Sequence, residues 1–107
     1  MQARLINDLS DLAPGRYGLM EPTADTPVLP PGQIDFSVIP CVTCDREGNR
    51  IGHGGGYYDR FFKDLPDTPC ALICREILLS DQVRFLCEPH DIRFCPVITE
   101  CGVYQGD

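Results

Sequence analysis

With 107 residues, 43% of them hydrophobic, and ten glycines balanced by ten prolines, the chain fits one compact globular domain spanning residues 1–107 and is neither disordered nor fibrous in composition. Its formal net charge of −7 is spread without a basic stripe, which argues against nucleic acid or an anionic membrane surface as partner. No run approaches the ~18 apolar residues that cross a bilayer, and the start lacks the basic-then-apolar order of a secretory leader, so the cytoplasm is the expected setting.

Residues 1–12 place Leu5, Ile6, Leu9 and Leu12 among polar neighbours, and Pro14 and Gly15 stop any helix early. A short strand with a turn and a single helical stretch both fit. Residues 21–32 carry Pro22, Pro27, Pro30 and Pro31 and read as an irregular extended connection. Residues 34–40, Ile-Asp-Phe-Ser-Val-Ile-Pro, are rich in β-branched and apolar side chains and end in proline, as a buried strand does.

Residues 45–49, Asp-Arg-Glu-Gly-Asn, form a turn. Beyond the glycines at 54–56, Tyr58, Phe61, Phe62 and Leu65 recur at helical spacing and predict a helix over 57–65. Residues 70–74 and 97–99 predict two more strands, and 79–86 a connection of helical or irregular character. Strands alternating with a helix indicate an α/β layer architecture.

The seven cysteines, 41, 44, 70, 74, 87, 95 and 101, are an odd number, which a closed disulfide framework would not use up. Most stand in apolar company and read as reduced thiols packed in the core. Cys41 and Cys44 also have the spacing of a zinc half-site, with Cys70 and Cys74 as the other half.

Between a predicted strand and a predicted helix lies Arg50-Ile51-Gly52-His53-Gly54-Gly55-Gly56-Tyr57-Tyr58-Asp59. Phosphates bind at such junctions, because glycines let the backbone approach an anion and the amides of the following turn point at it. Arg50 offers a forked cation that matches phosphate oxygens. An acidic chain that binds a triphosphate also needs a divalent metal, and Asp59 and Asp91 are carboxylates of the right type for Mg²⁺. The segment is neither a Walker A loop nor a dinucleotide fingerprint, so a plain glycine turn between strand and helix stays open. Asp59 as a helix-start residue and Asp91 as a turn former stay open too.

Residues 45–60, Asp-Arg-Glu-Gly-Asn-Arg-Ile-Gly-His-Gly-Gly-Gly-Tyr-Tyr-Asp-Arg, resemble the signature of the 5-formyltetrahydrofolate cyclo-ligase family. Gly18-Leu19-Met20-Glu21-Pro22, the run 34–40, Pro89-His90-Asp91 and Val97-Ile98-Thr99-Glu100 resemble family segments in the same order. The resemblance implies a Rossmann-like three-layer sandwich of the NagB/RpiA/CoA-transferase type, of which this chain supplies the C-terminal portion. It implies ATP-dependent closure of 5-formyltetrahydrofolate to 5,10-methenyltetrahydrofolate: ATP phosphorylates the formyl oxygen, N10 attacks the activated carbon, and phosphate leaves.

Carried over by position, Arg50, Ile51, Gly52, His53, Gly54, Gly55, Gly56, Tyr57 and Tyr58 would contact ATP. His53, Gly54, Gly55, Gly56 and Tyr57 would border the reduced folate. Arg50, Tyr57 and Asp59 would act in catalysis, and Asp59 and Asp91 would hold Mg²⁺. Family members are nearly twice as long, and their first half carries further phosphate and pteridine contacts, so Met1 reads as an internal start. Position 53 varies among family members, which leaves His53 equally readable as an exposed loop residue, and the counterparts of Cys41 and Cys44 are small or apolar. The expected partners are a reduced folate, ATP and a missing N-terminal half or a second copy. Two other function classes stand beside the enzyme: a catalytically silent nucleotide-binding module, and a small cysteine-based zinc module.

Overall fold

In the computed structural model, which describes residues 1–52, 57–63, 68–88 and 91–106, the opening of the chain folds as strands and turns, with no α-helix. Strand β1 (Ala3–Arg4) pairs antiparallel with β4 (Val28–Leu29), and β2 (Leu12–Pro14) with β3 (Met20–Pro22). Prolines at the ends of β2 and β3 explain the shortness of the ladder, since each lacks an N–H to donate. The Asp8 carboxylate accepts a hydrogen bond from the Ser10 amide (2.9 Å) and caps the 3₁₀ turn Leu9–Asp11 that leads into β2. The extended connection expected over 21–32 therefore contains the end of β3 and all of β4.

These strands belong to the first of two compact units, Met1–Ile34; the second is Asp35–Asp107. In the second unit a mixed sheet runs in the order β10-β9-β8-β5. Its members are β5 (Ser37–Ile39), β8 (Cys70–Ile73), β9 (Val97–Thr99) and β10 (Gly102–Tyr104). β5, β8 and β9 are parallel neighbours, and β10 returns antiparallel to β9 through a tight turn. A separate hairpin joins β6 (Thr43–Cys44) to β7 (Arg50–Ile51).

Register decides which side chains share a face. Ile39 lies opposite Leu72, Leu72 opposite Val97 and Val97 opposite Tyr104, and the first three are buried. Helix α1 (Tyr57–Phe62) and Phe94 cover this row, with the rings of Phe62 and Phe94 edge to face at 5.5 Å. On the opposite face, Val38, Ile73, Ile98 and Val103 are exposed. The sheet is thus covered on one side, and its other side is apolar and largely exposed, with Ala71 buried opposite Val38.

The turn between β6 and β7 is built around Asp45, which is only 3% exposed. Its carboxylate accepts hydrogen bonds from the amides of Glu47 (2.9 Å) and Asn49 (3.0 Å) and from the Asn49 side chain (2.8 Å). Gly48 has φ +90°, and a Cβ there would collide with the Phe94 carbonyl.

β10 was not foreseen, whereas the connection over 79–86 is of the helical and irregular character expected, with a 3₁₀ turn at Val83–Leu86. The described part of the helix is Tyr57–Phe62; Leu65 lies outside the described residues. Of the cysteines Cys44 is fully buried in the core and Cys41, Cys70 and Cys74 pack against it, half-buried, as expected for most of them, while Cys101 is exposed. All seven are free thiols.

Candidate functional site

The carboxyl ends of the three parallel strands open into a cavity of about 590 Å³. Pro40 and Cys41 follow β5, Cys74 and Arg75 follow β8, and Thr99 and Glu100 close β9; all six line it. Ligands in open α/β sheets bind at this edge, because the strands end together there and their loops diverge.

Cys41 and Cys74, which line it, and the fully buried Cys44 bring three sulfurs within 4.8 Å of one another. Hydrogen bonding from Cys44 brings the Cys41 thiol down to about 7, with Cys74 and the Arg50 charge acting the same way against burial. The Cys44 thiol is pushed up, by its hydrogen bond to Cys41 and then by burial. Cys70 stands apart and donates to the Cys95 carbonyl (3.9 Å). Four strand residues span about 13 Å, so Cys70 and Cys74 cannot serve one ion as the expected zinc half-site did.

Beside the cavity, Glu76 accepts hydrogen bonds from Thr99 Oγ1 and Tyr104 Oη, each 2.6 Å, and Arg46 lies 3.9 Å from the same carboxylate. The Thr99 bond, then the Tyr104 bond, hold the Glu76 carboxyl below its ordinary range, and Glu76 in turn raises the Tyr104 phenol. This network escaped the sequence reading because its members are spread from residue 46 to residue 104.

Of the residues expected to bind nucleotide, His53, Gly54, Gly55 and Gly56 lie outside the described residues. Arg50 ends the hairpin, where its Nε donates to the Pro40 carbonyl (3.1 Å) and its guanidinium stacks on Tyr58 at 4.9 Å. Ile51 and Gly52 follow, half-buried, with Gly52 against the Arg50 guanidinium. Tyr57 is exposed, with the Arg60 guanidinium 5.3 Å from its ring.

Asp59 occupies the first turn of α1. Asp91 forms a turn, accepting the Glu88 amide (2.8 Å) while its own amide donates to the Glu88 carbonyl (3.0 Å). The turn-forming role considered for Asp91 is therefore present. Both carboxylates act on one group: burial raises the Cys87 thiol, and the charges of Asp91, Asp45 and Asp59 each add to the rise. The same thiol donates to the Arg50 carbonyl (3.8 Å).

Fold and site together define an α/β protein with a crevice at the carboxyl edge of its parallel strands. Residues 1–100 match the model of the 5-formyltetrahydrofolate cyclo-ligase family, and the chain belongs to that family. It is 34% identical over 92 residues to the 5-formyltetrahydrofolate cyclo-ligase of Mycolicibacterium smegmatis, covering 82% of this chain and 45% of the relative. The solution structure of 5,10-methenyltetrahydrofolate synthetase from Aquifex aeolicus superposes with a TM-score of 0.73 at 30% identity, over 92% of this chain and 48% of that one. The synthetase from Mycoplasma pneumoniae gives a TM-score of 0.61 at 30% identity, over 74% and 46%. The chain spans about half the length of these relatives. Among the described residues no helix is long and apolar enough to cross a membrane.

Proposed function

We propose that the chain is the ATP-handling, C-terminal part of a 5-formyltetrahydrofolate cyclo-ligase, a cytoplasmic enzyme of folate one-carbon metabolism. In this reading it closes 5-formyltetrahydrofolate to 5,10-methenyltetrahydrofolate with release of ADP and phosphate. Family membership supports the reaction. What supports the site is Asp59 in the first turn of α1, just past the glycine-rich segment in sequence, with the Arg50 carbonyl and guanidinium just before it.

Two carboxylates and a carbonyl are hard oxygen donors, the set that magnesium prefers, so the residues present fit the ion. Asp59 and Asp91 would hold it, and it would supply charge neutralisation to the phosphates. Residues 50–58 would cradle the triphosphate, with Arg50 as the fixed cation, and 53–57 would border the folate. Phosphoryl transfer needs little covalent help from protein, so the contribution of these residues is orientation and charge.

The finer fold assignment, a single three-layer sandwich of the NagB/RpiA/CoA-transferase type, belongs to the same proposal. The open face formed by Val38, Ile73, Ile98 and Val103 fits the third layer that the N-terminal half of a full-length relative would contribute. The limited span of the relatives covered also favours a second reading, a nucleotide-binding module without turnover of its own.

Calorimetry with Mg·ATP tests the site, and absorbance of methenyltetrahydrofolate tests turnover. Wild-type chain is expected to bind Mg·ATP, and Asp59→Asn to bind it about tenfold more weakly in magnesium while keeping its circular dichroism. Equal affinity of the two proteins would remove Asp59 from the site. Binding without product would select the second reading.

A further inference from the structure

The cysteine trio, with Cys41 and Cys74 lining the strand-end cavity and Cys44 fully buried, is used by no step of the proposed reaction. Its geometry follows from the sheet. Ile39 and Leu72 are paired in register on adjacent parallel strands, so Cys41 and Cys74, each two residues further on, leave the sheet side by side. The chain then turns through Val42 into β6, which returns Cys44 underneath them, where it is fully buried.

We propose that Cys41, Cys44 and Cys74 form a site for one Zn²⁺ ion, with three thiolate ligands and a fourth position open to the cavity. Zinc–sulfur bonds of about 2.3 Å set tetrahedral sulfurs about 3.8 Å apart. Sulfurs already within 4.8 Å of one another need to close by no more than about 1 Å. Binding would cost two weak thiol bonds, Cys41 to the Ile73 carbonyl (3.5 Å) and Cys74 to the Arg75 carbonyl (3.4 Å). Three thiolates around a divalent ion leave one negative charge, and the Arg50 guanidinium sits where it favours the Cys41 thiolate.

Soft thiolates select zinc over magnesium, so this site and the carboxylates proposed for magnesium, Asp59 and Asp91, would not compete for one metal. Cys41 and Cys74 both line the cavity, which gives the fourth position room for water or a small donor ligand. Open coordination of that kind is found in reactive zinc sites, whereas structural sites close all four positions with protein.

The test uses the full chain, reduced and kept from air. Cobalt(II), a coloured substitute for zinc, is expected to give the thiolate charge-transfer and visible bands of a tetrahedral site at one equivalent, and zinc to displace it. One equivalent of zinc should shield Cys41, Cys44 and Cys74 from alkylation while Cys101 stays reactive, read by peptide mass spectrometry. Cys41→Ser and Cys74→Ser should each weaken zinc binding by on the order of tenfold or more, with Cys101→Ser unchanged. If either ligand variant loses its circular dichroism, zinc X-ray absorption of the wild-type chain replaces it, with three sulfur scatterers expected. Absence of the cobalt bands, alkylation unchanged by zinc, wild-type affinity in folded Cys41→Ser and Cys74→Ser, or fewer than three sulfurs around the ion would overturn the assignment.

Discussion

Removing the Asp45 carboxylate should loosen the hairpin that delivers Arg50 to the crevice. Three hydrogen bonds end on this 3% exposed group, two of them from backbone amides that no other acceptor serves in the turn. A net value of about 1 kcal/mol for each bond gives about 3 kcal/mol for Asp45→Ala. The Asn49 side chain is half-exposed and regains water, which brings the figure to about 2.5 kcal/mol. At a urea slope of about 1.5 kcal/mol per molar, the unfolding midpoint falls by about 1.7 M. Asp45→Asn keeps an oxygen for the two amides and should lose about 1 kcal/mol, or roughly 0.7 M. Tyrosine fluorescence is a suitable probe: Tyr57, Tyr58 and Tyr104 lie in the second unit, and Tyr17 alone lies in the first. A midpoint for Asp45→Ala within roughly 0.3 M of wild type, at unchanged slope, would refute the view that this carboxylate organises the turn.

Gly48→Ala should cost at least about 2 kcal/mol in thermal unfolding, because the alanine would take φ +90° and its Cβ would meet the Phe94 carbonyl and the Cys95 sulfur. Gly32→Ala, with open space around it and no positive φ, should stay within about 0.5 kcal/mol of wild type. Glu76 predicts a pH dependence at both ends. Its carboxylate is held below the ordinary 4.5, so its stabilising effect is present above that value and is lost as pH falls through the lowered one. Tyr104 is raised above 10.0, so its effect is present below that value and is lost as pH rises through the raised one. Glu76→Gln should flatten the acid limb of melting temperature against pH, and an acid limb identical to wild type would contradict the role given to the Thr99 and Tyr104 bonds.

The parallel strands were legible in the sequence because β5, β8 and β9 each present a short run that is apolar on both faces, although one face is largely exposed. The hairpin turn was legible because Asp45, Gly48 and Asn49 each meet a local requirement of a tight turn. β10 was not, since Gly102, Val103 and Tyr104 form a run too short and too exposed to show periodicity. The paired strands of the first unit were hidden by prolines, which signal breaks while tolerating strand ends. At the site, local spacing suggested the Cys41 and Cys44 pair but misassigned its companions. Cys70 and Cys74 are close in sequence and far apart along an extended strand, and only the pairing of β5 with β8 selects Cys74.

The uncovered sheet surface has a consequence for how the molecule can be taken apart. Its side chains, Val38, Ile73, Ile98 and Val103, are aliphatic and uncharged, so shape and water exclusion govern what settles on them, with no ionic code to satisfy. Ile73 and Ile98 belong to that surface and also line the crevice at the strand ends. Holding ligand and burying the lamina are therefore physically coupled tasks. Separate expression of a relative's N-terminal portion and mixing with this chain is a direct route to fragment complementation, in which covering the lamina and shaping the crevice would be restored together.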